Sequence, residues 1–131
     1  DSVILLSNAS VDIQGAVAIA GGNIQTGELG LSFAATSSLT GHGVVDGRLN
    51  SLAVITASGG SLVLGDPDHP FGIFINGTLV VGSDSIVLRD SNEADIDDAT
   101  LAGGTLSAPG GIRLAAGDAI SGHGFIRGAV T

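Results

Sequence analysis

Residues 31–50, LSFAATSSLTGHGVVDGRLN, carry the information that decides the fold, because residues 112–131, IRLAAGDAISGHGFIRGAVT, repeat them without a gap at a shift of 81 (His123 minus His42). Six positions are identical: Ala34/Ala115, Ala35/Ala116, Gly41/Gly122, His42/His123, Gly43/Gly124 and Gly47/Gly128. Six more exchange one apolar residue for another, among them Leu39/Ile120, Val45/Ile126 and Leu49/Val130. In a strand, successive side chains point to opposite faces. Val45, Gly47 and Leu49 therefore share one face, and Asp46, Arg48 and Asn50 the other. The second copy follows the same rule, with Ile126, Gly128 and Val130 opposite Arg127, Ala129 and Thr131. A slot that keeps its apolar register and its glycines while its polar residues change is a packing unit before it is an active site.

A shorter signature, Gly-Gly followed by a polar and an aliphatic residue, occurs three times: AGGNIQTG at 20–27, SGGSLVLG at 58–65 and AGGTLSAP at 102–109. The starts lie 38 and 44 residues apart, so the unit is about 40 residues and the 81-residue shift is two units. Each unit is expected to make two turns of a coil. Outside these motifs, short alternating stretches such as Val3–Leu6, Ala16–Ala20, Leu29–Phe33, Leu52–Ala57 and Thr78–Val81 are punctuated by Gly, Ser, Asn, Asp and Pro. Asn92–Leu101 comes nearest to a helix period, but Asp and Thr break it and Gly103-Gly104 follows.

Composition fits a thin aliphatic core. The chain has 22 Gly among 131 residues, four Phe, and no Cys, Met, Trp, Tyr or Lys, so nothing bulky is available to fill a wide interior. A formal charge of −9 repels a polyphosphate backbone and excludes nucleic acid as a partner class. The lack of cysteine removes disulfides, zinc-thiolate sites and thiol chemistry. No apolar run approaches the ~20 residues of a membrane span, so no transmembrane segment is expected.

The run GHGVVDGRLNSLAVITASGGSLVLG, 41–65, resembles the passenger repeats of bacterial autotransporters and related secreted surface proteins, whose pattern is Gly-x-Gly-x-Val-x-Gly-x-Val-x-Asn, a short strand, then Gly-Gly-x-Leu. Residues 122–131 repeat its first half. The resemblance implies an all-β, right-handed parallel β-helix (β-solenoid) of about six short coils and an extracellular or cell-surface, adhesin-like bacterial protein. Two departures stand against it: DPDHPFGIFIN, 66–76, interrupts the pattern as an irregular loop, and no translocator domain is present. One domain over 1–131 is expected, with a β-sandwich or jelly roll as the alternative topology.

Several residues invite a chemical reading. Asp90, Asn92, Asp95 and Asp97, with Glu93 and Asp98, place hard oxygen ligands in a short span, as calcium requires, although the glycine and terminal glutamate of a helix-loop-helix calcium loop are lacking. A solvated acidic edge is the ordinary reading of such a run. His42 and His123 sit between glycines in both copies; two turns apart they would be separated by roughly 10 Å, too far for one metal. Asp66-Pro67-Asp68-His69-Pro70 joins a carboxylate pair to an imidazole, the raw material of acid–base chemistry, but two prolines in five residues mark a stiff loop. Asn8-Ala9-Ser10 and Asn76-Gly77-Thr78 match the N-glycosylation triplet, and Asn76-Gly77 also reads as a hairpin turn. Pairs such as Gly21-Gly22 lack the lysine and helix of a phosphate loop and are read as corner glycines.

These observations predict a non-catalytic structural module of a secreted extracellular filament or cell-surface protein. Calcium is the candidate cofactor and glycans are candidate partners. The match at 112–131 reaches the last residue without a polar cap, so the chain is read either as a fragment of something longer or as a protomer whose end a neighbour covers, and the second reading predicts homotypic head-to-tail self-assembly. The alternative is a carbohydrate-binding or carbohydrate-active β-helix protein. It would need clustered carboxylates with Arg, and an aromatic platform that a chain without Trp or Tyr supplies poorly.

Overall fold

Alternation of aliphatic with small or polar residues produces twelve strands and, among the described residues, no helix. A computed structural model describes residues 3–5 (backbone alone), 11–26, 30–66, 68 and 72–131. The strands are β1 (Val3–Leu5), β2 (Val11–Ile13), β3 (Ala16–Gln25), β4 (Leu31–Phe33), β5 (Ser38–Asp46), β6 (Leu49–Ser51), β7 (Val54–Leu64), β8 (Ile73–Gly82), β9 (Ser85–Leu88), β10 (Ala94–Ser107), β11 (Ile112–Arg113) and β12 (Ala119–Arg127).

Every strand pairing is parallel, and each joins a strand to its counterpart roughly 20 residues on, which is the signature of a coil wound on itself. The chain is thus a β-solenoid, as the sequence predicts, and not a sandwich or jelly roll. Three ladders form its faces. The first runs β1, β3, β5, β7, β9, β10, β12 through residues 23–25, 43–45, 62–64, 85–88, 105–107 and 125–127. The second runs β2, β4, β6, β8, β10, β11. The third uses the leading parts of β3, β5, β7 and β12, the trailing half of β8 and the middle of β10, so its six rungs are joined by five complete turns.

Inward side chains line up rung on rung. On the third ladder the row is Val17, Leu39, Ile55, Leu79, Ala99, Ile120, and its members Leu39, Ile55 and Leu79 are fully buried. Burial of each such side chain stabilises by about 1.5–3 kcal/mol. The second ladder stacks Leu31, Leu49, Ile73, Ala94 and Ile112, and beside it Phe33, Ser51, Ile75 and Ile96. Phe33 is the bulkiest core residue, and the next rung offers it the small Ser51, whose Oγ accepts a hydrogen bond from the Ala53 N–H at 3.1 Å. A buried hydroxyl is tolerated because it is satisfied.

The duplicated glycines meet duplicated obstacles. A Cβ on Gly41 would lie 1.8 Å from the Ile19 carbonyl oxygen, and one on Gly122 2.0 Å from the Leu101 carbonyl oxygen, each belonging to the preceding rung. Their φ values, 132° and 102°, are also open chiefly to glycine. Both sit where a long strand turns from the third ladder to the first.

The structure amends four sequence expectations. Strand β8 begins at Ile73, so residues 73–76 of the expected irregular loop 66–76 belong to a strand. It then runs straight through Asn76-Gly77 in parallel pairing, so that dipeptide is a solenoid corner and no hairpin turn; a Gly77 side chain would strike the Ala53 carbonyl at 2.1 Å. His42 and His123 are four coils apart, not two, since the rungs between them carry Ser58, Gly82 and Ala102. The distance doubles to roughly 19 Å. Finally, the Gly-Gly signature would put Ile24, Leu62 and Leu106 in one row. The observed rows are Ile24–Val45–Leu64–Leu88 and Gly43–Leu62–Ile86–Leu106–Ile126. Between the third and first ladders β7 takes seven residues (Ala57 to Leu64) where β3 takes five (Ile19 to Ile24), so Leu62 falls two residues short of the Ile24 row. A two-residue slip keeps every side chain on its own face, so the core tolerates it.

Candidate functional site

The acidic run is divided among elements: Asp90, Asn92 and Glu93 precede β10, Asp95 lies on the second ladder and Asp98 on the third. Asp90 is 4% exposed and faces the corner, where its Oδ2 accepts the Gly72 N–H at 2.9 Å and its Oδ1 the Asn92 N–H at 2.8 Å. That carboxylate ties two coils together. Asp95 points outward on β10 and is held by Arg113 of the next coil, whose Nη2 donates at 2.6 Å alongside a second bond from Nε. The pair holds the Arg113 guanidinium still more firmly protonated than usual. Asp97 lies two residues on. Desolvation, and after it the carboxylates of Asp118, Asp98 and Asp95, push its carboxyl above the ordinary aspartate range. Of the expected calcium set Asp90, Asn92, Asp95 and Asp97, the carboxylates do not join a group of three or more His, Cys, Asp or Glu side chains among the described residues. The run is contiguous in sequence, but Asp90 is turned into the corner at Gly72 while Asp95 and Asp97 share the outward face of β10.

What the structure does assemble is a groove. The outward row of the second ladder reads Asp12, Ser32, Asn50, Phe74, Asp95, Arg113, one residue per coil. Over the last four opens a cavity of about 530 Å³, closed at its sides by Arg48, Asn76, Asp97 and Asp118. Arg48 lies over the Phe74 ring, 5.8 Å from its centroid. Gly72 makes room for that ring: a Cβ there would come within 2.7 Å of it. Asp118 is fixed by the Ala115 N–H, which its Oδ2 accepts at 2.8 Å. Sequence reading missed the groove because its walls come from residues 48–50, 74–76, 95–97 and 113–118, which only coil stacking brings together. The available signal was Phe74 itself, an aromatic placed at an outward position by the FGIFI alternation.

The remaining candidates disperse. The carboxylate pair Asp66 and Asp68 forms a local turn, with Asp66 Oδ1 accepting the Asp68 N–H at 2.9 Å; His69, Pro67 and Pro70 lie outside the described residues. Coil stacking adds Asp46 and Arg89 to this corner. Burial first, then Asp66 and Asp68, push the Asp46 carboxyl upward, against the opposing pull of Arg89 and the Gly47 N–H. Among the described residues Asp46 Oδ1 and Arg89 Nε are buried without hydrogen-bond partners. His42 Nδ1 is 3.2 Å from the Ser58 carbonyl oxygen, a spacing at which that nitrogen carries the proton, and its ring rests over Gly59 and Gly60. His123 is exposed near Gly103. Of the two glycosylation triplets, Asn76 is exposed at its corner, while Asn8 lies outside the described residues. No helix of the described residues is long and apolar enough to cross a membrane. Comparisons with protein-family models, curated proteins and solved structures returned no match.

Proposed function

We propose that this solenoid is a non-catalytic structural module of a secreted extracellular filament or cell-surface protein, and that copies stack end to end. The observation that carries the reading is the parallel stacking of the described strands, which lets the aliphatic rows continue from one rung to the next. Among the described residues β12 pairs with β10 alone, and Ile126 and Val130, which continue the buried rows of Leu106 and Ile112, are 41% and 44% exposed. Phe125 beside them is 68% exposed. Among the described residues β1 and β2 each pair on one side only. Because every strand runs parallel, the two ends are complementary: a second copy placed on β12 continues the same ladders in the same direction, and the contact repeats as an open stack. Aliphatic rows covered this way regain what Leu106 and Ile112 already have. The net charge of −9 disfavours side-by-side association.

Sedimentation velocity over a hundredfold concentration range, read beside negative-stain electron microscopy, tests the proposal. Growing species and thin rods are expected for the native chain, and Ile126→Asp should abolish them without changing the circular dichroism spectrum. A monomer at every concentration contradicts the proposal.

A further inference from the structure

We propose that the groove over Asn50, Phe74, Asp95 and Arg113 binds a neutral oligosaccharide lying along the solenoid axis. Its volume, about 530 Å³, is that of a small-ligand site rather than a packing gap. Its chemistry is mixed in the way a polyol demands. A sugar ring has an apolar C–H face and an edge of hydroxyls that both donate and accept. Phe74 supplies the apolar surface. The Asp95–Arg113 pair presents acceptor and donor atoms in one fixed plane, because the two side chains already lock each other. Asn50 and Asn76 add amides able to do either.

Spacing supports the axial direction. The row Asn50, Phe74, Asp95, Arg113 advances one coil per residue, close to 4.8 Å each time. That step is commensurate with one pyranose ring, so a linear chain meets successive side chains without bending. The rigidity of the ladder means these groups are positioned before any ligand arrives, which lowers the ordering cost of binding.

Charge selects among ligands. Arg48 and Arg113 against Asp95, Asp97 and Asp118 leave the lining at a formal −1 (two positive, three negative). An acidic saccharide would bring its carboxylates against Asp97 and Asp118, which already repel one another. A basic peptide would meet Arg48, lying over the one aromatic of the groove. A neutral polyol incurs neither penalty. The inference is independent of end-to-end stacking, since the groove lies on a lateral face.

Saturation-transfer NMR and titration calorimetry on the full chain test it, using neutral tetrasaccharides of the β-glucan, mannan and N-acetylchitin types, with oligogalacturonate and a lysine-rich peptide as comparators. At least one neutral tetrasaccharide is expected to bind. Phe74→Ala and Asp95→Asn should each weaken it about tenfold or more, with melting curves recorded to confirm folding. Asn50→Ala, which removes an outward side chain only, serves if Phe74→Ala fails to fold. The proposal is overturned if no neutral tetrasaccharide binds, if binding survives all three substitutions, or if only the acidic sugar or the basic peptide binds.

Discussion

Replacing Gly41 by alanine should cost this chain about 3–5 kcal/mol. The added Cβ would sit 1.8 Å from the Ile19 carbonyl oxygen, whereas an ordinary contact begins at 3.4 Å, so rungs β3 and β5 must part locally by about 1.6 Å (3.4 minus 1.8). Opening of that size breaks the ladder hydrogen bonds on either side, about two of them at about 1 kcal/mol each. The φ of 132° adds about 1–3 kcal/mol for a residue with a side chain. With a urea m-value near 2 kcal/mol/M, the unfolding midpoint falls by about 1.5–2.5 M. Three other glycines separate the contributions. Gly117→Ala carries the backbone strain without the clash, as its φ is 103° and nothing lies within 4 Å. Gly77→Ala carries the clash, at 2.1 Å from the Ala53 carbonyl, without a positive φ. Gly15→Ala carries neither and should stay within about 0.5 kcal/mol of the native chain. Urea titrations followed by circular dichroism rank the four. If Gly41→Ala unfolds no earlier than Gly15→Ala, the close rung-on-rung approach is wrong.

Two more predictions concern the carboxylates. Asp90→Ala leaves the Gly72 and Asn92 amides without their acceptor and should cost about 2–4 kcal/mol, a drop of roughly 10 °C in melting temperature for a domain of this size, while Asp90→Asn, which keeps one acceptor, should cost less. Asp46 and Asp97 both have raised carboxyl pKa values, so the folded chain holds their protons more tightly than the unfolded chain. Their protonation therefore favours folding at low pH, and that advantage is lost as pH rises through the folded values. Asp46→Asn and Asp97→Asn should each raise the melting temperature at pH 7, and the gain should shrink as pH falls toward the ordinary aspartate value of 3.8. A gain that grows on acidification would reverse the sign of this reasoning.

The fold was legible because a solenoid writes its geometry into sequence locally. Each rung needs inward aliphatics at every second position and glycine where a corner crosses the rung below, and both constraints recur in order along the chain. Leu31/Ile112, Leu39/Ile120 and Leu49/Val130 accordingly fall in shared rows. The first ladder was harder to read. Val45 and Ile126 align in sequence yet stand in neighbouring rows, because corner length at Ser58–Ser61 is set by loop geometry and not by the apolar pattern.

Side-chain constellations were the least legible part. Asp90 looked like a ligand because it neighbours other acids in sequence, but a buried corner gives it two amides to satisfy. Asn76-Gly77 carries the dipeptide of a hairpin, yet the segments on either side pair in parallel with the same two neighbouring coils on two different ladders, and tertiary packing overrides the turn preference. The groove partners Phe74 and Arg113 are 39 residues apart (113 minus 74) and meet only through two windings, a relation no local pattern records.

Methyl and amide NMR cross-relaxation tests the winding most directly. Stacked parallel coils predict contacts between the Ile55 methyls and those of both Leu39 and Leu79, residues 16 and 24 positions away, on a fully buried row. Antiparallel amide contacts closing across Asn76-Gly77, with none between Ile55 and Leu79, would contradict it.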